Sequence, residues 1–194
     1  PYLLYPHGTL YPETVGMRSF IKKRLFLNLF VGKMLSQASG IVFTTEAEAA
    51  KVTGSLGIPL RSVVIPNIAP DTAYSRLPEQ GRVRERLGIG QHVPLLLHLG
   101  RVAPKKNLGV ALETIKRLRD AGKTVEFVID GSDYEGEQGR LEAVAAELGI
   151  DHAVPFTGLL DRERIREVLA ESDIFILPSL SENFGVAVVE AMLA

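Results

Sequence analysis

The chain of 194 residues contains no cysteine. Disulfides and thiolate chemistry are therefore excluded, and a reducing compartment is permitted. Neither common glycine signature for phosphate, G-x-G-x-x-G or G-x-x-x-x-G-K-[ST], occurs in it, which argues against a Rossmann dehydrogenase or a P-loop enzyme. No uninterrupted apolar run reaches the ~20 residues of a membrane span. The chain opens on Pro1-Tyr2-Leu3-Leu4, without the basic n-region of a signal peptide. There is no Asp-x-Asp pair, and His7, His92, His98 and His152 are not spaced as metal ligands. Charge of one sign is also lacking: 22 Lys/Arg stand against 23 Asp/Glu, which makes no case for a nucleic-acid partner. The charge is uneven all the same. Residues 1–75 carry seven Lys/Arg and four Asp/Glu, and the remainder carries fifteen and nineteen.

What is present is an ordinary globular composition, 46% hydrophobic and 23% charged, arranged as alternating strand and helix patterns. Leu95–Leu99, Val125–Ile129, Ala153–Phe156 and Ile174–Leu177 read as buried strands. Between them, Asn107–Ala121 places Leu108, Ala111, Leu112, Ile115 and Leu118 on one helical face. Gly122 is the expected stop. Gln138–Leu148 repeats the pattern and is closed by Gly149. Asp161 can cap a third helix carrying Ile165, Val168 and Leu169. Strand–helix alternation at this spacing predicts a parallel sheet with right-handed crossovers.

The first third is less regular. Tyr2–Tyr5, Ile41–Thr44 and Arg61–Ile65 read as strands, and Met17–Leu35 and Glu46–Leu56 as helices. The polar stretch 69–81, with Pro70 and Pro78, is the best linker. The expected organisation is one α/β unit over residues 1–70, a linker over 71–92 and a second α/β unit over 93–194. Pro1 stands one residue before an expected strand, and Ala194 lies inside an expected helix with no Gly or Asn cap. The chain therefore reads as a segment truncated at both ends.

Three stretches carry candidate chemistry. Gly100-Arg101-Val-Ala-Pro-Lys-Lys106-Asn107 follows a strand directly. Gly100 allows close backbone approach, and Arg101 and Lys106 beside a helix N-terminus would favour a diphosphate. The same residues also suit a solvated basic loop. In Glu182-Asn183-Phe184-Gly185…Glu190, two carboxyl groups flank a helix start, and side chains lean toward a helix N-terminus, so Glu190 can reach back. A carboxylate can take two hydrogen bonds from the vicinal diol of ribose or hexose. Two surface glutamates are the plain alternative. His7, between a strand and Gly8, fits either a general base or sugar contact or a structural hydrogen-bonder. The basic, apolar helix over 17–35 fits a domain edge or an anionic membrane surface.

In series, these motifs resemble glycosyltransferase family 4. Gly100-Arg101…Lys106-Asn107 resembles that family's Gly-Arg-x-x-x-x-Lys-Asn/Gly loop. Phe156-Thr157-Gly158 resembles its Phe-x-Gly segment, and Glu182…Glu190 its Glu-x7-Glu motif. Val64-Ile-Pro-Asn67 resembles the strand closing the N-terminal domain, and Thr44-Thr-Glu46-Ala-Glu48 the segment upstream of it. The resemblance implies a GT-B fold of two Rossmann-like domains, both incomplete in this chain. It implies a retaining transferase that moves a sugar from a nucleotide-sugar to a glycan or lipid-linked acceptor in surface polysaccharide synthesis, without metal or cofactor. By the same resemblance, Arg101 and Lys106 hold the donor diphosphate and Glu190 the ribose. Glu182 holds the donor sugar, with the backbone of Asn183, Phe184 and Gly185. Phe156–Gly158 lies near the nucleobase, and His7-Gly8 near sugar and acceptor. Three positions depart from the pattern. Ile68 stands where Gly is frequent, Asp130 where a small apolar residue is usual, and Leu193 near a common Ala. A GT-B-like epimerase or phosphorylase, or a non-catalytic nucleotide-sugar-binding module, shares most of these features. The expected location is cytoplasmic, at the inner membrane face if the basic helix touches lipid.

Overall fold

The structure is a computed structural model that describes residues 2–11, 31–56, 60–68, 74 and 76–194. It divides into two compact units. Pro1–Ile68 and Glu182–Gly185 make up the first, and Ala69–Ser181 and Val186–Ala194 the second.

In the first unit, β1 (Leu3–Leu4), β2 (Gly40–Phe43) and β3 (Ser62–Val64) form a parallel sheet in that order. Helix α1 (Gly32–Gln37) precedes β2, and α2 (Glu46–Leu56) returns the chain from β2 to β3. Ile41, Val42 and Phe43 are almost fully buried. Such a continuous apolar run marks the centre of a parallel sheet. Ile41 and Phe43 pack with Leu35, Ala49 and Val52 from the two helices. Of the helix expected over 17–35, residues 17–30 lie outside the described residues.

The second unit is a four-stranded parallel sheet in the order β6-β5-β4-β7. Its strands are β4 (Leu95–Leu99), β5 (Glu126–Asp130), β6 (Phe156–Gly158) and β7 (Ile174–Phe175). Side chains alternate across a strand, and the two cores follow that alternation. Leu96, Phe127 and Ile129 join Leu108, Ala111, Leu112 and Ile115 of α4 (Leu108–Asp120) and Leu141 and Ala145 of α5 (Glu137–Glu147). Leu95, Leu97, Leu99 and Val128 join Val83 of α3 (Arg82–Leu87) and Val168 and Leu169 of α6 (Arg162–Glu171). The last helix is α7 (Val186–Leu193). Gly122 and Gly149 follow α4 and α5 with φ of 75° and 69°, the left-handed stop that glycine supplies without strain. Asp161 caps α6 by accepting from Arg164 N at 2.9 Å.

Three expectations need correction. Residues 71–92 are not simply a linker, because α3 lies within them. The Glu171 carboxyl accepts from the backbone N–H of Val83 and of Arg84, both at 2.8 Å, which satisfies two donors at the start of α3. The Arg84 guanidinium then bonds Gly90 O, Val93 O and Asp173. Helix α4 starts at Leu108, not Asn107, because a 3-10 turn, Pro104–Lys106, precedes it and Asn107 is left-handed with φ 54°. The strand expected at 153–156 instead begins at Phe156. Residues Asp151–Ala153 form a second 3-10 turn, separated from α5 by the left-handed Gly149.

Candidate functional site

In the order β6-β5-β4-β7, successive connections run one way from β4 and then return to its other side. Open parallel sheets bind ligands outside the carboxyl ends of the strands at such a reversal. A pocket of about 190 Å³ lies there. Leu99, Gly100 and Arg101 enter it from the end of β4, and Asp130, Gly131 and Ser132 from the end of β5. Leu159 and Ile165 come from β6–α6, and Ala187 and Glu190 from α7.

The walls are held by backbone bonds that continue the sheet beyond the strands. Gly100 N donates to Asp130 O at 2.9 Å, and Val102 N to Ser132 O at 2.9 Å. Tyr134 N donates back to Val102 O at 2.9 Å, and Gly131 N to Gly158 O at 2.9 Å. Gly100 has φ 141° and Gly131 φ 150°, conformations that side-chain-bearing residues avoid. The Arg101 guanidinium lies over the Tyr134 ring, 5.2 Å from its centroid, a cation–π contact that orients its exposed side chain. Lys106, on the 3-10 turn, brings Nζ to 3.7 Å from where a Cβ on Gly100 would sit, and His98 Nε2 lies equally near that point. Leu180 N donates to Lys105 O at 2.9 Å, so the loop after β7 is tied to this turn.

Asp130 is the unusual group. It is only 3% exposed, and burial pushes its carboxyl up to about 6 against the opposing hydrogen bonds of Thr157 and the Leu160 backbone. The Thr157 hydroxyl donates to Asp130 Oδ1 at 3.1 Å. Phe156 packs on the α4–α5 core. Phe156 and Thr157 also line a separate cavity of about 210 Å³ with Arg86 and Arg164.

Glu190 is half-buried on α7 and accepts from the Tyr74 hydroxyl at 2.8 Å. Tyr74 escaped the sequence reading because it lies in the polar stretch 69–81. An aromatic residue amid Pro, Asp and Ser was the one available signal of burial there.

The remaining candidates lie in the first unit. His7 is exposed with φ 47°, and its ring stacks on Tyr5 at 5.8 Å. Gly8 N donates to Glu48 Oε1 at 2.8 Å. Glu48 is fully buried, and its Oε2 accepts from Thr44 N at 2.8 Å and the Thr44 hydroxyl at 2.9 Å. A Cβ on Gly8 would lie 3.4 Å from Asn183 Cβ, and the Tyr11 hydroxyl donates to Asn183 Oδ1 at 3.4 Å. Asn183 thus stands against the His7-Gly8 turn. Glu182, Phe184 and Gly185 are half-buried beside it in sequence, Gly185 with φ 73°. Among the described residues, no cluster of three or more His, Cys, Asp or Glu could hold a metal ion. None of their helices is long and apolar enough to cross a membrane.

The parallel α/β architecture and the pocket at the strand ends define the class. The fold is that of the GT-B glycosyltransferases, and HepE from Anabaena, solved in complex with UDP-glucose, superposes with a TM-score of 0.82. That match has 25% identity and covers 100% of this chain and 51% of HepE. The family described as glycosyl transferases group 1 matches residues 79–194, and the chain belongs to it. The 2-deoxystreptamine glucosyltransferase of Streptomyces kanamyceticus is 33% identical over 82% of this chain and 42% of its own length. The amylovoran biosynthesis glycosyltransferase AmsK of Erwinia amylovora is 36% identical over 59% of this chain and 29% of its own length. The chain spans less than half the length of these curated relatives.

Proposed function

We propose that the protein moves a hexose-type sugar from a nucleotide-sugar to a glycan or lipid-linked acceptor, with retention, in surface polysaccharide synthesis. The observation that carries this reading is that Arg101 and Glu190 line one pocket at the ends of parallel strands. A guanidinium matches a diphosphate and a carboxyl group matches a ribose diol. A nucleoside diphosphate presents these two groups side by side. The names of the relatives support the same reading: a glucosyltransferase, a polysaccharide-synthesis transferase, and HepE, which binds UDP-glucose.

In the transfer, the bond from the sugar's anomeric carbon to the diphosphate oxygen breaks. A bond to an acceptor hydroxyl forms, and that hydroxyl's proton passes to the departing diphosphate oxygen. Negative charge grows on the departing diphosphate, where Arg101 and Lys106 stabilise it. Phe156–Gly158 frames the base side. Glu182, with the backbone of Asn183, Phe184 and Gly185, holds the sugar, and His7-Gly8 attends the reacting end. The reading needs no metal. It places the protein in the cytoplasm, at the inner membrane face where the basic stretch 17–35 meets anionic lipid.

Calorimetric titration of UDP and GDP into the protein, with Arg101→Ala and Glu190→Ala beside it, tests the site. Each substitution should weaken binding at least tenfold, by loss of a charged or buried hydrogen bond. Unchanged affinity in both variants would sink the assignment. A product assay on the bound donor separates transfer from epimerisation, which would release free sugar without an acceptor.

A further inference from the structure

Glu190 is a flexible side chain on a short helix, and a carboxyl group already held in one orientation accepts a diol without the cost of ordering itself. Tyr74 supplies the restraint. Its ring is 5% exposed and packs into the core with Val83, Ile89, Leu95 and Leu97. Ala187 and Ala191 of α7 pack on that same core, so ring and helix rest on one shared core. From there the hydroxyl donates to Glu190 Oε1 at 2.8 Å. Burial, and then the bond to Glu190, hold the Tyr74 hydroxyl up to about 12, so it remains a donor throughout the physiological range. A carboxylate has about four acceptor sites, and this bond uses one, leaving the others for a ligand.

We propose that Tyr74 is a positioning residue for nucleotide recognition, its hydroxyl fixing Glu190 in the orientation that accepts the ribose 2′- and 3′-hydroxyls. The inference rests on the assignment of Glu190 to the ribose made above. Its physical content is preorganisation: a ligand that finds the carboxyl group already ordered does not bear the entropic cost of ordering it. Tyr74 acts only through Glu190.

Tyr74→Phe keeps the ring in its core position and removes only the donor. UDP, GDP and their 2′-deoxy counterparts are titrated into the wild type, Tyr74→Phe, Glu190→Ala and the double variant. The wild type should prefer the ribonucleotide. In Tyr74→Phe that preference should fall about fivefold, the effect of one hydrogen bond of ordinary strength; 2′-deoxynucleotide affinity should fall less, because only its 3′-hydroxyl still depends on Glu190, and melting temperature should change little. The double variant should bind no more weakly than Glu190→Ala, because the two residues act as one unit. A purely structural role would weaken ribo- and deoxynucleotides equally, and that result overturns the proposal. If Glu190→Ala loses the ribose preference and Tyr74→Phe retains it in full, the positioning role fails while the ribose assignment stands. If Glu190→Ala keeps wild-type preference, the ribose assignment fails, and the role of Tyr74 fails with it.

Discussion

Gly131 lies so close to Gly100 that a Cβ on it would meet the Gly100 carbonyl oxygen at 1.9 Å. The turns after β4 and β5 are thus pressed together backbone to backbone beneath the pocket. Gly131 also has φ 150°, so any side chain there meets both a clash and a strained backbone. Gly131→Ala should lower unfolding free energy by about 3 kcal/mol or more, the sum of overpacking and an unfavourable φ. Urea denaturation followed by circular dichroism measures this. A loss under 1 kcal/mol would mean that the two turns separate easily.

Asp130 makes stability depend on pH in a direction opposite to that of most carboxylates. Its folded-state value is raised from 3.8 to about 6 by burial. Between those values the native protein binds more protons than the unfolded chain, so stability falls as pH rises from about 4 to about 6. The difference corresponds to up to about 3 kcal/mol at pH 7. Asp130→Asn should therefore raise stability at pH 7, with the gain fading to nothing below pH 4. Melting curves of both proteins from pH 4 to 7.5 check the sign, and a gain largest at low pH would refute the assignment.

Glu48 gathers three donors from two segments, Gly8 N, Thr44 N and the Thr44 hydroxyl. Glu48→Ala leaves all three buried without that acceptor. A loss on the order of 3–5 kcal/mol is expected, with faster amide exchange at Gly8. Glu48→Gln keeps the volume but turns an NH2 group toward N–H donors, so it should still lose about 2 kcal/mol. Protection at Gly8 equal to wild type in both variants would show that the His7-Gly8 turn is held by something else.

Asp161→Ala removes the side-chain cap of α6 and should cost about 1 kcal/mol. A shift in the urea midpoint at constant slope would report it. Asp161→Asn should restore most of the loss.

Strand order could not be read from the chain, but the elements that build the sheet could. Leu95–Leu99 is a run of five residues, four of them apolar, of the kind a central parallel strand carries. Leu108, Ala111, Leu112 and Ile115 recur at helical spacing. Of the pocket, Gly100, Arg101 and Glu190 were apparent because a glycine after a strand and charges around a helix start are local patterns. The failures were also local in origin. Pro104 and the left-handed Asn107 make a 3-10 turn where helical periodicity alone suggested that α4 begins. The polar stretch before α3 hid Tyr74, because one aromatic residue among turn formers has no periodicity to betray its burial.

The amino-acid sequence by itself determined the parallel α/β class, the units of repeating strand and helix, and the glycines and charged residues at strand ends. These depend on spacing along the chain, which sequence displays directly. Only the tertiary structure decided that Tyr74 meets Glu190 across 116 residues, that Thr157 meets Asp130, and that Gly8 rests on Glu48. Those pairings arise when crossovers bring distant segments side by side. Burial then makes each hydrogen bond costly to lose, and neither effect is encoded in any local run of residues.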